Sequence, residues 1–374
     1  MDETNILRDM NEMRPRLPLD DMLVRMAELE ASDLYLKPGS PPTYRVNGTN
    51  TTFDDKPLYP ADTEALIYPA MCERDMFIFN ERHGANMARS VQHVGRFRLN
   101  VYRQRGSVAM VARRIKTELP TMDELHLPPV LKDITMQKNG LVFVTGATGC
   151  GKSTTLAAMI DYRNTVATGH IVTIEDPIEF LHPDKKSIVS QRELGVDCRN
   201  MEDALHDALR QAPDVILVGE IRDAEIMEEA LAFAETGHLV LATLHSTSAN
   251  QTMERVLNFF PPDHQHQVMM QMALSLRAIV SQRLVRRADG KGRVAAVEIL
   301  LGTQRVRDQI KRGETEAMKS TMRNSAHDGM QTFDMALFEL QREGIITPEV
   351  ALAAADSPAD LRMLMRGFTA MSVS

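Results

Sequence analysis

Leu141-Val142-Phe143-Val144-Thr145-Gly146-Ala147-Thr148-Gly149-Cys150-Gly151-Lys152-Ser153-Thr154 is the stretch on which the reading of this 374-residue chain turns. Leu141–Thr145 is an apolar run of the kind that a strand buried on both faces needs. Gly146–Ser153 then matches the phosphate-binding pattern GxxxxGK[ST] in full. Glycines let the backbone curl so that N–H groups, and the N-terminus of the helix expected over Thr154–Asp161, point at phosphate oxygens. Lys152 is expected to reach the β- and γ-phosphates of ATP, and the Ser153 hydroxyl to ligate Mg²⁺. With Gly146, Ala147, Thr148, Gly149, Cys150, Gly151 and Thr154 they form the expected nucleotide cradle. A chance glycine-rich loop would lack the strand in front and the helix behind.

Working outward, strands and helices alternate. Ile171–Ile174, Val215–Val218, Leu239–Thr243 and Val294–Ile299 read as further strands, and that rhythm predicts an α/β fold: a parallel sheet with helices on both faces. Ligands of such sheets sit beyond the carboxyl ends of the strands, where two acidic segments fall. Val215–Val218 runs into Gly219-Glu220, and metal positioning is the role expected of Glu220. Asp214, at the far end of that strand, reads as a strand cap. Thr173-Ile174-Glu175-Asp176-Pro177-Ile178-Glu179 follows another strand. Phosphoryl transfer to water needs a group that orients the attacking water; Glu175 is the candidate, Asp176 a helper and Glu179 a structural residue. A solvated acidic loop is the plainer alternative. Gly237–Ser246 places His238 before a buried strand and His245 after it, where His245 could report the γ-phosphate state to a neighbouring subunit. His264 and His266 lie in a polar stretch without a third ligand, so no metal is expected there.

The chain is too long for one ordinary domain. Pro18–Ala31 has helical apolar spacing, Asp33–Leu36 alternates like a strand, and Tyr44–Val46 before Asn47-Gly48 suggests a hairpin. Ala61–Ala70 reads as a helix, and 96–103 and Val108–Ile115 as strands. These make a small α+β domain over 1–118, with a proline-bearing linker over 119–129. From about Thr303 the sequence turns helical and charged, ending in a tail over 369–374. Arg96, Arg98, Arg103, Arg105, Arg113 and Arg114 crowd the small domain. A solvated strand face explains such arginines, but a ring nucleotidase also needs arginines delivered from a neighbour.

Apolar residues make up 43% and charged residues 25%, with a net charge of −8, which weighs against a nucleic-acid partner. Cys72, Cys150 and Cys198 form no CxxC pair, so neither a disulfide framework nor a structural zinc is expected. Met1–Asp20 has no apolar core of a signal peptide, and no apolar stretch approaches the roughly 20 residues that span a bilayer. A soluble, cytoplasmic protein is expected.

Taken together, these blocks resemble the secretion ATPase superfamily, and within it the PilT/PilU pilus retraction ATPases. The resemblance is carried by GATGCGKST (146–154), TIEDPIEF (173–180), LRQAPDVILVGEIRD (209–223), FAETGHLVLATLHS (233–246) and GMQTFDMAL (329–337). It leans toward the PilU side of the family through RVLNFFP (255–261) and DGKGR (289–293). It implies a PAS-like N-terminal domain and a RecA-like P-loop ATPase domain over 130–368, assembled as a homo-hexamer. Glu175 takes the place of the family's catalytic glutamate and Glu220 that of its Walker B glutamate. His238 and His245 match its His box, and Arg98 and Arg113 its trans-acting arginines. The implied partners are a PilT-type retraction ATPase and the inner-membrane pilus platform protein, at which the ring would dock peripherally to drive or assist pilus retraction and twitching motility. A ring-stacking partner whose binding outweighs its turnover is the alternative. A DNA-translocating ring is a third reading, weakened by the acidic balance.

Overall fold

The computed structural model describes residues 18–53, 56–115 and 118–371. They form two compact units. The first comprises the described residues up to Glu118 together with Pro177–Pro183 and Glu193–Asn200; the second comprises Leu119–Asp176, Asp184–Arg192 and the described residues from Met201.

In the first unit, β1 (Asp33–Leu36), β2 (Thr43–Val46), β3 (Thr49–Thr52), β4 (Gly84–Val91), β5 (Gly95–Gln104) and β6 (Ser107–Arg114) form a sheet in the order β3-β2-β1-β6-β5-β4. Every pairing is antiparallel. Asn47 and Gly48 take φ of 49° and 81°, the two left-handed residues that a two-residue hairpin needs to match strand twist. The first helix covers Pro18–Glu28 and stops short of the expected Ala31, because Glu30 adopts φ 51° on the way into β1. Its Leu19, Leu23 and Met26 are buried with Leu34, Phe97, Leu99 and Val101.

The second unit holds β7 (Gly140–Thr145), β8 (Gly169–Glu175), β9 (Ser187–Glu193), β10 (Val215–Val218), β11 (Leu239–Leu244), β12 (Leu276–Arg286) and β13 (Arg293–Leu301), in the order β13-β12-β7-β11-β10-β8-β9. β12, β7, β11, β10 and β8 are mutually parallel. All of β7, β10 and β11 is buried, as parallel strands covered on both faces must be. The parallel sheet expected from the rhythm forms the core of this unit, while β13, read among its strands, runs antiparallel to β12. The turn between them, around Asp289-Gly290, is far too short for the crossover that a parallel neighbour requires. Leu119–Pro129 packs into this unit, with Met122 and Leu127 in the sheet core. The helices after Thr303 bury Phe333, Leu337, Leu340 and Leu361 against Val285, Val294 and Ala296 of the β12–β13 hairpin. The last helix runs to Met371, and residues 372–374 of the expected tail lie outside the described residues. Among the described residues no helix is long and apolar enough to cross a membrane.

Registers decide where chemistry collects. Val218 pairs with Ile174 on one side and Ala242 on the other, and Thr145 pairs with Leu244 and Ser281. The residues following β7, β8, β10 and β11 therefore emerge along one edge of the sheet.

Candidate nucleotide site

At that edge β7 passes into the 146–151 loop and the helix Lys152–Val166. Gly146, Gly149 and Gly151 take φ of 148°, 75° and 93°, backbone that only glycine adopts without strain. A Cβ on Gly146 would also collide with Cys150 Sγ and the Gln282 carbonyl oxygen. Ala147, Thr148 and Gly149 are exposed, and Lys152, Ser153 and Thr154 partly so. The result is an open cradle of backbone N–H groups at a helix N-terminus, which fits the phosphates of a nucleotide. Lys152 Nζ donates to the carbonyls of Gly146 (2.9 Å) and Ala147 (3.2 Å). Burial pushes the Cys150 thiol up, making it a packing residue rather than a nucleophile.

The loop is braced from β12. Buried Gln282 donates through Nε2 to the Cys150 carbonyl (2.6 Å) and accepts through Oε1 from Thr155 Oγ1 (2.9 Å). Thr145 Oγ1 donates to Ser281 Oγ at 3.0 Å. Sequence reasoning missed both residues because it did not resolve β12. The signal was a glutamine inside the apolar run 276–285.

Glu175 ends β8, where its Oε1 accepts from Thr173 Oγ1 (2.7 Å) and Gln191 Nε2 (3.2 Å). Gly219 lets β10 end against β8: a Cβ there would lie 3.0 Å from the Ile174 carbonyl oxygen and 3.1 Å from Glu175 Cα. Glu220 Oε1 lies 3.0 Å from His245 Nε2, and its Oε2 accepts from Arg222 Nε at 2.8 Å. Arg222 also donates to Asp176 Oδ2 at 3.2 Å. The hydrogen bond to Glu220, ahead of burial, which acts the other way, holds the Arg222 guanidinium above its ordinary pKa. The fold thus brings the loop, Glu175, Asp176, Glu220 and His245 to one edge, and adds Arg222. That arginine stood in the sequence two places after Glu220, on the same side of an extended segment.

His238 and Asp214 lie at the opposite edge. The His238 ring meets the Phe233 carbonyl (3.2 Å), Thr236 Oγ1 (3.1 Å) and the Phe233 ring edge-on at 5.4 Å. Asp214 Oδ2 accepts the His170 N–H at 2.8 Å, as a strand cap would. Glu179 is exposed and falls in the first unit.

Arg98 and Arg113 also belong to the first unit, directly opposite one another on β5 and β6. Like charges so placed repel. Asp33 Oδ1 accepts from Arg113 Nε at 2.8 Å, and Arg113 is exposed while Arg98 is partly buried.

A glycine-rich phosphate loop between a buried strand and a helix, with carboxylates just past the ends of the neighbouring strands, defines a P-loop nucleotide hydrolase. The chain belongs to the Type II/IV secretion system protein family, whose match covers residues 110–355, and it is an ATPase. It is 49% identical over 350 residues to the type IV pilus ATPase PilU of Pseudomonas aeruginosa, spanning 94% of this chain and 92% of that one. To the type IV pilus retraction ATPase PilT of the same organism it is 42% identical over 342 residues, 91% of this chain and 99% of the relative. The crystal structure of the pilus retraction motor PilT with bound ADP superposes with a TM-score of 0.84 at 42% identity, covering 93% of this chain and 100% of that one. The Legionella pneumophila ATPase DotB gives a TM-score of 0.79 at 28% identity, covering 90% and 96%.

Proposed function

We propose that this chain is one subunit of a homo-hexameric, ATP-driven ring that drives or assists the retraction of type IV pili, and with it twitching motility. The observation that carries the proposal is the convergence of the Lys152 loop, Glu175 and Glu220 on one sheet edge. The names and identities of the PilU and PilT relatives support the pilus as its object. Lys152 neutralises the β- and γ-phosphates, and the loop N–H groups hold them in place. Glu175, steadied by Thr173 and Gln191, orients the water that attacks the γ-phosphate. Ser153 and, through water, Glu220 would hold Mg²⁺, which would supply positive charge to offset that of the phosphates. His245, 3.0 Å from the other oxygen of Glu220, reports the γ-phosphate state to a neighbouring subunit in this proposal.

Arg98 and Arg113 act in trans in this proposal, reaching a nucleotide held by the adjacent subunit. Their mutual repulsion is offset at Arg113 by Asp33 and at Arg98 by the charge of Glu193, and an anion from a neighbour would relieve it further. The ring docks peripherally at the inner-membrane pilus platform on the cytoplasmic side, and a PilT-type retraction ATPase is its natural partner. The test is ATP turnover by the purified chain, alone and with such a partner. A motor hydrolyses ATP alone in a Glu175-dependent way. An accessory ring whose binding outweighs its turnover would raise the partner's output with Glu175 replaced as well as with Glu175 present.

A further inference from the structure

We infer that Arg222 is a positioning residue of the hydrolysis reaction that acts in cis, clamping Glu220 and Asp176 of its own subunit, and is not a further arginine offered to a neighbour. The inference rests on the roles proposed above for Lys152 and Glu220. An arginine with 55% of its side chain exposed beside a nucleotide site invites the reading of a finger. The geometry points the other way. Its Nε is spent on Glu220 Oε2 at 2.8 Å and its Nη1 on Asp176 Oδ2 at 3.2 Å. The two acids follow the ends of adjacent parallel strands, β10 and β8, that close approach at Gly219 brings side by side. Two carboxylates so placed repel, and the planar guanidinium fork is the group that can hold both at once. With Arg222 on one oxygen and His245 on the other, 3.0 Å away, the Glu220 carboxylate has a single orientation.

Magnitude separates this role from a structural one. Exposed ion pairs of this kind contribute little to folding, so loss of Arg222 should leave the melting temperature almost unchanged. Misplacing a group at a reaction centre by about 1 Å costs on the order of 10²-fold in rate. Arg222→Ala is therefore expected to lower kcat by roughly 10- to 100-fold while the KM for ATP moves less than about threefold, because phosphate binding rests on the loop. Arg222→Lys should recover only part of the rate, since a compact ammonium cannot span two carboxylates.

Mixing distinguishes cis from trans. When Arg222→Ala subunits are combined with Lys152→Ala subunits, every intact Lys152 sits in a chain that lacks Arg222, so the mixture should not exceed the residual rate of Arg222→Ala alone. The double variant Arg222→Ala/Glu220→Gln should be no slower than Glu220→Gln alone, since both changes act through one carboxylate. Activity that returns in the mixture, full turnover in Arg222→Ala, or losses that multiply in the double variant would each overturn the inference. Absence of turnover in the unmutated chain would instead overturn the hydrolytic reading beneath it, and the inference with it.

Discussion

Glu298, on β13, is 1% exposed and accepts the Ala249 N–H at 2.8 Å, at the start of the helix Ala249–Asn258. Burial pushes its carboxyl up from 4.5 to about 7, with Asp356 acting in the same direction and the Ala249 N–H, Lys319 and Arg283 against it. Both cations are drawn toward Asp356, at 2.8 and 2.7 Å. The folded chain therefore holds this proton more tightly than the unfolded chain does. The sign follows: the stability tied to the proton is fully present below pH 4.5 and is lost as pH rises to about 7. The interval is about 2.5 pH units (7 − 4.5), which at 1.36 kcal/mol per unit is about 3 kcal/mol. Glu298→Gln keeps the shape and the acceptor for Ala249 but cannot ionise. Its stability relative to the unmutated chain should rise by about 2–3 kcal/mol between pH 5 and pH 8, with most of the gain below pH 7. The assay is urea unfolding of both proteins at pH 5, 6, 7 and 8, followed by circular dichroism because the chain has no Trp. A difference that stays flat across the four pH values, or a variant less stable at pH 8, would refute the argument.

Lys152→Ala should abolish turnover, while Glu175→Gln should keep ATP bound and slow turnover by about 10²–10⁴-fold, or roughly 3–5 kcal/mol of barrier; equilibrium binding and single-turnover hydrolysis separate the two. Gly146→Ala forces a side chain into φ 148° and into Cys150 and Gln282, so about 2–4 kcal/mol of strain is expected, read as a lower melting temperature together with weaker binding of a fluorescent ATP analogue. Arg113→Ala should lower kcat far more than ATP affinity, and mixing it with Lys152→Ala should restore part of the activity because some interfaces regain both groups. Full turnover in Arg98→Ala and Arg113→Ala singly would remove the trans arginines from the mechanism.

The cradle was legible because its chemistry is local. A phosphate loop needs glycines, a lysine and a hydroxyl at fixed spacing, and the strand before it is a plain apolar run. Glu175 and Glu220 were legible for the same reason, each standing just past a buried strand whose carboxyl end sets the ligand side of the sheet. What the sequence hid is non-local. Gln282 braces the loop across 132 residues of chain, and nothing near Cys150 announces its partner. β12 follows the helix Pro262–Ser275 without an intervening loop, so no turn residue marked its start, and without it β13 was read as one more parallel strand. His238 was recognisable as a motif residue, and its place before the strand already put it at the far edge, but its partners Phe233 and Thr236 emerge only from the fold. The segments Pro177–Pro183 and Glu193–Asn200, which cluster with the first unit, flank β9, whose polar sequence SIVSQRE lacks a buried strand's apolar run.

The central claim is that ATP is hydrolysed by an assembled ring whose sites are completed by neighbouring subunits. ATP turnover per chain, measured across a dilution series alongside the oligomeric state by size exclusion, tests it most directly. The account predicts activity that falls steeply as the hexamer gives way to monomer, and that returns on reconcentration. Turnover per chain that holds constant down to dilutions where only monomer elutes would contradict it.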